Sequence, residues 1–152
     1  MEISIQKLDR YTDEATKTML EKLVAKKRKY DLLNKRHLLI MWLTIFLAFV
    51  YSYWLYKQIA IPYAHSFAVM FSEFVQGKFN LYATIIIVGC FGFMNILKQK
   101  KDKAEKEYHQ LRCEIIDKSK DLWKKEEEWK NRHKVFEMMK QQYDINLFHE
   151  TK

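Results

Sequence analysis

The residues of this chain best suited to catalysis or metal binding are five histidines and two cysteines, and their spacing matches no known catalytic or metal centre. Only His109 and Cys113, four residues apart, would share one face of a helix. Two such groups do not make a structural zinc site, which usually needs four ligands. The remaining histidines are scattered through the chain: His37, His65, His133 and His149. We therefore predict no metal site and no cofactor.

Catalytic groupings are equally absent from the sequence pattern. Three glycines cannot build a glycine-rich phosphate loop, and no serine–histidine–aspartate or cysteine–histidine arrangement is legible. Cys90 and Cys113 favour free thiols in or facing a reducing compartment over a disulfide framework. The acidic run 126–128 is typical of a solvated helix face. These features predict a protein that is not an enzyme, with no catalytic residue and no identified small-molecule substrate.

Two uncharged stretches of equal length, 38–56 and 79–97, are the main structural elements that the sequence indicates, and any functional site would be positioned by them. At ~1.5 Å per residue, each would reach about 29 Å as a helix, close to the hydrocarbon core of a bilayer at ~30 Å. Only three glycines and one proline occur among the 152 residues, which suits long uninterrupted helices. The pattern predicts an all-α fold: a two-helix transmembrane hairpin with long cytoplasmic helical extensions.

Basic residues flank both ends of this hairpin, whereas the connection inside it is nearly neutral. The residues predicted to orient the hairpin are Lys35, Arg36, Lys98, Lys100 and Lys101. Because basic residues near the ends of a span favour the cytoplasmic side, both termini are predicted to be cytoplasmic. The first apolar stretch starts too late and is too long for a cleavable signal peptide. The expected location is the bacterial inner (cell) membrane, crossed more than once.

The chain is therefore predicted to divide into five segments. They are a cytoplasmic N-terminal helix at 1–37, transmembrane helices at 38–56 and 79–97, an extracytoplasmic amphipathic connector at 57–78, and a charged cytoplasmic tail at 98–152. Within the connector, a helix from Tyr63 to Gln76 would gather its polar residues on one arc, with Pro62 in its first turn. An alternative interpretation makes 58–72 a third span, although it is short and would place one basic cluster outside.

Helix packing inside the membrane can be inferred from small residues. Ala48 and Ser52 are four positions apart in the first span, and Gly89 and Gly92 offer a thin patch on the second. Small residues allow helices to approach closely in lipid. We expect these positions to lie at helix–helix contacts.

The tail has the clearest periodicity in the chain. One heptad position is apolar six times in succession, at Tyr108, Ile115, Leu122, Trp129, Phe136 and Tyr143. Basic residues Lys118, Lys125 and Arg132 stand at the other seam position, which weakens a dry two-stranded seam. Favourable acid-to-base pairs four residues apart are predicted for Glu114 with Lys118, Asp121 with Lys125, and Glu128 with Arg132. A long, coiled-coil-like helix is the expected result.

The N-terminal helix is predicted to start at the Thr12, Asp13 and Glu14 signal and to cover the upper part of this apolar seam. From that start to residue 37 it would be about 36 Å long, whereas residues 97–143 would reach roughly 70 Å. A folded-back tail, a second protomer or another protein must therefore shield the lower part. The residues predicted to bind that partner are Leu122, Trp129, Phe136, Met139 and Tyr143.

The chain resembles the YpbF-like family of uncharacterised small proteins from Bacillus-type bacteria in its charged opening at residues 13–17, its basic entry at Lys35, Arg36 and His37, and its long charged tail. The resemblance covers the whole chain and supplies no catalytic residue. In layout only, the chain is also similar to two-span effector modules of bacterial defence systems.

A formal charge of +8 comes from 27 basic and 19 acidic residues. Acids nearly balance bases in the tail, which disfavours nucleic acid as a partner. The function expected is that of a non-enzymatic integral membrane protein whose cytoplasmic helices self-associate to a homo-oligomer or anchor a cytoplasmic protein at the lipid bilayer. The alternative is an oligomeric channel or membrane effector built from two-span hairpins.

Overall fold

The computed structural model describes residues 12–148, and within that range every regular element is helical. Helix α1 spans Glu14–Leu55 and passes into a π-helical turn at Tyr56–Ala60; α2 spans Phe67–Gln76, α3 Lys78–Asp117, α4 Ser119–Leu122 and α5 Glu126–Tyr143. The all-α prediction is confirmed. Residues 1–11 and 149–152 of the predicted terminal segments, His149 among them, lie outside the described residues.

The chain divides into two compact units. One comprises Met1–Leu33 together with Lys101–Lys152 and is called the helical unit below; the other, Asn34–Lys100, is called the apolar unit. Helices α1 and α3 each contribute to both units, and α3 is continuous through residues 97–103. Both ends of the chain therefore take part in the same unit.

Helix α1 begins where the sequence predicts. The backbone N–H of Thr16 donates to Asp13 Oδ1 at 2.8 Å, which is the bond an N-cap aspartate makes to the third helical residue. Hydrogen bonding by the Thr16 side chain, ahead of the opposing effect of burial, lowers the pKa of Asp13, and the backbone hydrogen bond from Thr16 acts in the same direction. The hydroxyl of Thr16 donates to the carbonyl of Leu122 at 3.1 Å, which joins the start of α1 to the far end of α4.

The core of the helical unit is formed by side chains from both ends of the chain. Its buried members are Leu20, Leu23, Val24, Tyr108, Ile115, Trp123, Val135, Phe136, Met139, Ile145 and Leu147. The Trp123 ring meets Phe136 edge-on at 5.5 Å between centroids, a geometry favoured by aromatic quadrupoles. The N-terminal part of α1 and the C-terminal half of α3 thus share one core with α5 and the residues that follow it.

The prediction of one long coiled-coil-like tail helix is wrong. Helix α3 ends at Asp117, and Trp123 and Lys125 lie outside the helical region, with Lys125 extended at φ −78° and ψ 140°. The tail reverses here because folding back lets α5 bury its own apolar side chains.

The break also rearranges the predicted charge pairs. The pair of Lys118 with Glu114 is confirmed at 2.8 Å. The pair of Asp121 with Lys125 would need a continuous helix, and Lys125 instead pairs with Glu128 at 3.1 Å. Since Glu128 is engaged there, Arg132 lies over the ring of Trp129 at 3.7 Å from its centroid.

Helix α5 ends at a left-handed residue. Asp144 has φ 56° and ψ 37°, and its backbone N–H bonds to the Lys140 carbonyl. Aspartate tolerates this conformation better than most side chains. The turn brings Ile145 and Leu147, both fully buried, into the core.

In the apolar unit, α1 and α3 contact through one face each. Ala48 lines a groove between α1 and α3, and Ser52 is exposed, so close helix contact at these two positions stays a prediction. The expectation for Gly89 and Gly92 is wrong within this chain, since a Cβ added at either would meet nothing within 4 Å. The thin patch therefore contributes nothing to packing between these two helices.

The connector differs from its prediction in detail. Helix α2 starts at Phe67 after the extended residue Ser66, so Pro62 lies in the preceding turn and not in the first helical turn. The alternative third span at 58–72 would need a continuous helix, which the turn between the π-helical segment and α2 interrupts. Gly77 follows α2 and lies close to Asn80: a Cβ on Gly77 would lie 2.5 Å from Asn80 Nδ2, so the Asn80 side chain would have to move.

Adjacent methionines in α5 test the folded-back tail. Met139 is fully buried, whereas its neighbour Met138 is only partly buried against the same core. We expect Met139→Ala to lower the free energy of unfolding of the helical unit by about 2–5 kcal/mol, because truncating a buried methionine leaves a cavity. Met138→Ala should cost clearly less. Thermal unfolding followed by circular dichroism measures both, and equal losses would contradict the buried position of Met139.

Candidate functional site

Side chains that could bind a metal ion or act as nucleophiles do not form a cluster in the described part of the chain. Between residues 12 and 148, no group of three or more histidine, cysteine, aspartate or glutamate side chains could hold a metal ion. Cys90 and Cys113 are both free thiols of intermediate exposure. His109, the predicted neighbour of Cys113, has its ring tilted against Tyr108 at 5.0 Å between centroids. The features that distinguish this molecule are therefore surfaces.

Exposed apolar side chains are concentrated in the apolar unit. Of the large hydrophobic residues exposed among residues 12–148, all except Leu32, Trp129 and Phe148 belong to it. Two helices are long and apolar enough to cross a membrane, and only 6% and 11% of their most apolar windows are buried. Phe49 is 73% exposed. The most apolar windows of both helices are thus left largely unburied by the rest of the described chain.

The predicted orienting residues lie at one end of this apolar surface. Lys35, Arg36, Lys98 and Lys100 are exposed, and no ion pair involves them in the described part of the molecule. Lys101 differs, since its ammonium lies 3.4 Å from Asp102. Four cations are therefore available to an external anion.

A polar junction joins the connector end of α1 to α3. The Tyr51 hydroxyl donates to the Asn80 carbonyl and lies within hydrogen-bond distance of the Thr84 hydroxyl, both at 3.1 Å. Asn80, which is buried, donates through Nδ2 to the Phe74 carbonyl at 3.2 Å. Trp54 packs edge-on against Phe79 at 5.1 Å between ring centroids. Sequence analysis missed this junction because a lone asparagine and threonine have no diagnostic spacing.

The five residues predicted to bind a partner have different environments. Phe136 and Met139 are buried in the core of their own chain, and Leu122 and Tyr143 pack partly against it. Trp129 is exposed. Of the three occupants considered for the lower seam, the folded-back tail is the one found within the chain. Partner binding by these residues stays a prediction, with Trp129 the one best placed to meet a second molecule.

An exposed aromatic and cationic cluster follows one face of α5. Arg132 lies over the rings of Trp129 and Phe136, and Phe136 meets Phe148 edge-on at 5.4 Å. Trp129 is 38% and Phe148 46% exposed. We call Trp129, Arg132 and Phe148 the α5 patch. Tryptophan and arginine are over-represented among residues that dominate protein–protein binding.

Two lysines of the helical unit, Lys26 and Lys27, are paired with carboxylates of the same unit. Lys26 donates to Glu107 at 3.1 Å, and this bond and its charge lower the pKa of Glu107. Burial works against the charged form of Lys27, but the carboxylates of Asp31, at 3.3 Å, and Asp144 outweigh it and raise the pKa of Lys27. These two lysines are thus held by acids of their own unit, unlike Lys35, Arg36, Lys98 and Lys100 of the apolar unit.

The arrangement defines a class: an all-α protein with two exposed apolar helices and a helical unit assembled from both chain ends. A family model described as "Protein of unknown function (DUF2663)" matches residues 19–150, and the chain belongs to that family. It is 33% identical over 152 residues, the whole of both chains, to the "Uncharacterized protein YpbF" of Bacillus subtilis (strain 168). The resemblance drawn from the sequence is confirmed. No solved structure matches the chain.

Glutamate substitutions at two seam positions should distinguish a buried position from an exposed one by their effects on stability. Phe136→Glu places a carboxylate among buried apolar side chains, so we expect a loss of at least about 3 kcal/mol in the unfolding free energy of the helical unit. Trp129→Glu should cost about 1 kcal/mol or less, mainly the contact with Arg132. Thermal unfolding by circular dichroism measures both. Equal effects would mean that the two positions are not differently buried.

Proposed function

We propose that this protein is an integral protein of the bacterial inner membrane that crosses it twice and holds a self-associating helical unit at the cytosolic face. The observation that carries the membrane assignment is the confinement of exposed apolar side chains to residues 34–100. Monomeric soluble proteins rarely expose contiguous apolar patches beyond a few hundred Å². Burying one large apolar side chain contributes ~1.5–3 kcal/mol, so leaving this surface in water would cost on the order of tens of kcal/mol.

Chain connectivity supports an even number of crossings. Both ends of the chain belong to the helical unit, so the polypeptide leaves that unit after Leu33 and returns to it at Lys101. A folded unit cannot have its two parts on opposite sides of a bilayer. The segment between them must therefore return to the side from which it started, and its two long apolar helices supply two crossings.

Charge and aromatic placement support the cytosolic side for the helical unit. Lys35, Arg36, Lys98 and Lys100 flank the two helices at the ends that lead to the helical unit. Basic flanking residues favour the cytoplasm. Tyr53, Trp54 and Tyr56 stand at the opposite end of α1, where amphipathic rings suit the outer headgroup layer.

The two natural thiols provide a test of this topology. A membrane-impermeant maleimide should label Cys113 in inverted inner-membrane vesicles but not in intact spheroplasts, because Cys113 belongs to the helical unit. Cys90 should stay unlabelled in both preparations, since it lies in the second apolar helix. Single-cysteine variants, Cys90→Ala and Cys113→Ala, separate the two signals.

An added cysteine gives the complementary signal. His65→Cys, in the exposed turn before α2 and in a background lacking both natural cysteines, should be labelled from outside in spheroplasts. Both natural cysteines are partly exposed in the isolated chain. Ready labelling of Cys90 without detergent, or protection of position 65 in spheroplasts, would contradict the two-crossing topology.

The α5 patch supports self-association through a symmetric interface. Glu126, Trp129 and Arg132 follow one another at three-residue intervals on α5, and Glu126 is exposed. If two copies of α5 pack antiparallel about a two-fold axis at Trp129, position 126 of one copy faces position 132 of the other. The two tryptophans then meet at the centre, with Glu126 opposite Arg132 on both sides. This charge complementarity favours a second copy as the occupant.

Charge reversal tests that interface directly. Glu126→Lys and Arg132→Glu should each lower the yield of cross-linked dimer in native membranes, because each places like charges opposite one another. The dimer is measured with a photo-activated cross-linker that does not react through lysine, so that the added lysine does not affect the yield. The double variant Glu126→Lys/Arg132→Glu should restore the yield, since the pairing is only exchanged between copies.

Lys130→Glu is the matched control. It reverses one charge on the same helix at an exposed position outside the line from Glu126 to Arg132. Its dimer yield should match that of the unmodified protein. A double variant no better than the single ones, or a chain that stays monomeric at all concentrations, would rule out this interface.

A further inference from the structure

A groove runs between α1 and α3 at the end of the apolar unit that carries its free cations. It has a volume of about 570 Å³ and lies wholly within residues 34–100. Its apolar lining includes Met41, Ile45, Ala48, Ile87 and Phe91. Thr44 also contributes, but its hydroxyl already donates to the Ile40 carbonyl at 2.8 Å. The body of the groove is therefore apolar in character, because the hydroxyl of Thr44 is already hydrogen-bonded within its own helix.

Apart from Thr44, the polar residues that line this groove lie at one end. His37, Asn95 and Lys98 line it there. The His37 Nδ1 atom is shielded from solvent and bonds to no protein group between residues 12 and 148. Lys98 is exposed and has no carboxylate partner in the same range. An apolar channel capped by unengaged imidazole, amide and ammonium groups matches a ligand with an apolar tail and an anionic, oxygen-rich head.

The length of the groove matches one half of a bilayer. Its lining extends from His37 to Ala48 on α1 and from Ile87 to Lys98 on α3, about 16 Å along either helix. Half of a hydrocarbon core of ~30 Å is about 15 Å. The volume is also within the ~300–1,000 Å³ typical of ligand sites. An acyl chain reaching the bilayer midplane would fill the apolar part while its head stayed at the polar end.

We propose that this groove binds an acidic phospholipid, with one acyl chain between α1 and α3 and its phosphate held by the exposed Lys98 and Asn95 beside His37. The proposal rests on the proposed membrane insertion, and it adds a specific lipid class and a site. A zwitterionic lipid would bring a second cation next to Lys98, and Lys35 and Arg36 precede the groove residue His37 in the sequence. Charge complementarity therefore favours a net anionic headgroup.

Native mass spectrometry of the detergent-purified full chain tests the site. The protein is mixed with equal amounts of phosphatidylglycerol and phosphatidylcholine of identical acyl chains, and retained lipid is counted for each. We expect phosphatidylglycerol to be retained preferentially. In Lys98→Gln that preference should fall about fivefold, the factor that one lysine near an anionic surface contributes.

Lys100→Gln is the matched control, because it removes the same charge from an exposed position of the same helix that does not line the groove. It should keep the preference. Ala48→Leu, which narrows the apolar part, should lower retention of both lipids while the circular dichroism spectrum stays unchanged. Equal retention of the two lipids by the unmodified chain, or equal effects of Lys98→Gln and Lys100→Gln, would overturn the lipid site.

Membrane integration is measured separately on the same variants by resistance of the membrane fraction to alkaline carbonate. A carbonate-resistant protein without lipid preference would refute the groove proposal and leave the proposed function standing. A chain that is soluble without detergent would refute the proposed function itself.

Discussion

A shared hydrophobic core between the two ends of the chain constrains the rest of this molecule. Leu20 and Leu23, near the N-terminus, are buried with Ile115, Trp123 and Met139, which lie roughly a hundred residues further along the chain. Closing a loop of this length has an entropic cost. Such a core forms only if the intervening segment leaves and returns to one place. The packing of the helical unit therefore requires that residues 34–100 return the chain to the unit from which it left, which agrees with the proposed hairpin.

The tail shows how far heptad periodicity can be used. It identified Ile115 and Phe136 as positions that become buried, and both are. It did not identify which chain buries them, because a seam covered by its own folded-back continuation has the same spacing as a seam covered by a partner. The break occurs without glycine or proline: Lys118 has φ −84° and ψ 9°, and Trp123 has φ −118° and ψ 66°. Interior helix propensities of ordinary residues differ by at most ~0.7 kcal/mol, less than burial of one large side chain contributes. Tertiary packing therefore decides where this helix ends.

In the apolar unit, composition predicted the elements well and local geometry poorly. The length of the two uncharged stretches predicted the two long helices, and the scarcity of glycine and proline predicted that they would be continuous. The start of α2 was misplaced because Pro62 suits a turn as well as a first helical turn, and the backbone at Ser66 is extended. The role of Gly77 depends on a contact with Asn80, which no spacing rule reveals. Gly89 and Gly92 were assigned to a contact by a rule that does not say which helix they contact.

The distribution of paired and unpaired charge connects the two units to their proposed surroundings. In the helical unit, Lys26, Lys27 and Lys118 are held by carboxylates of the same chain, so they contribute little attraction to an external anion. At the helix ends of the apolar unit, Lys98 and Lys100 lack such partners in the described range. A net charge of +8 spread evenly would be consistent with any polyanion. A basic excess left unpaired beside an apolar groove is suited to a phosphate that is attached to an acyl chain, and this coincidence favours the proposed lipid over a nucleic acid.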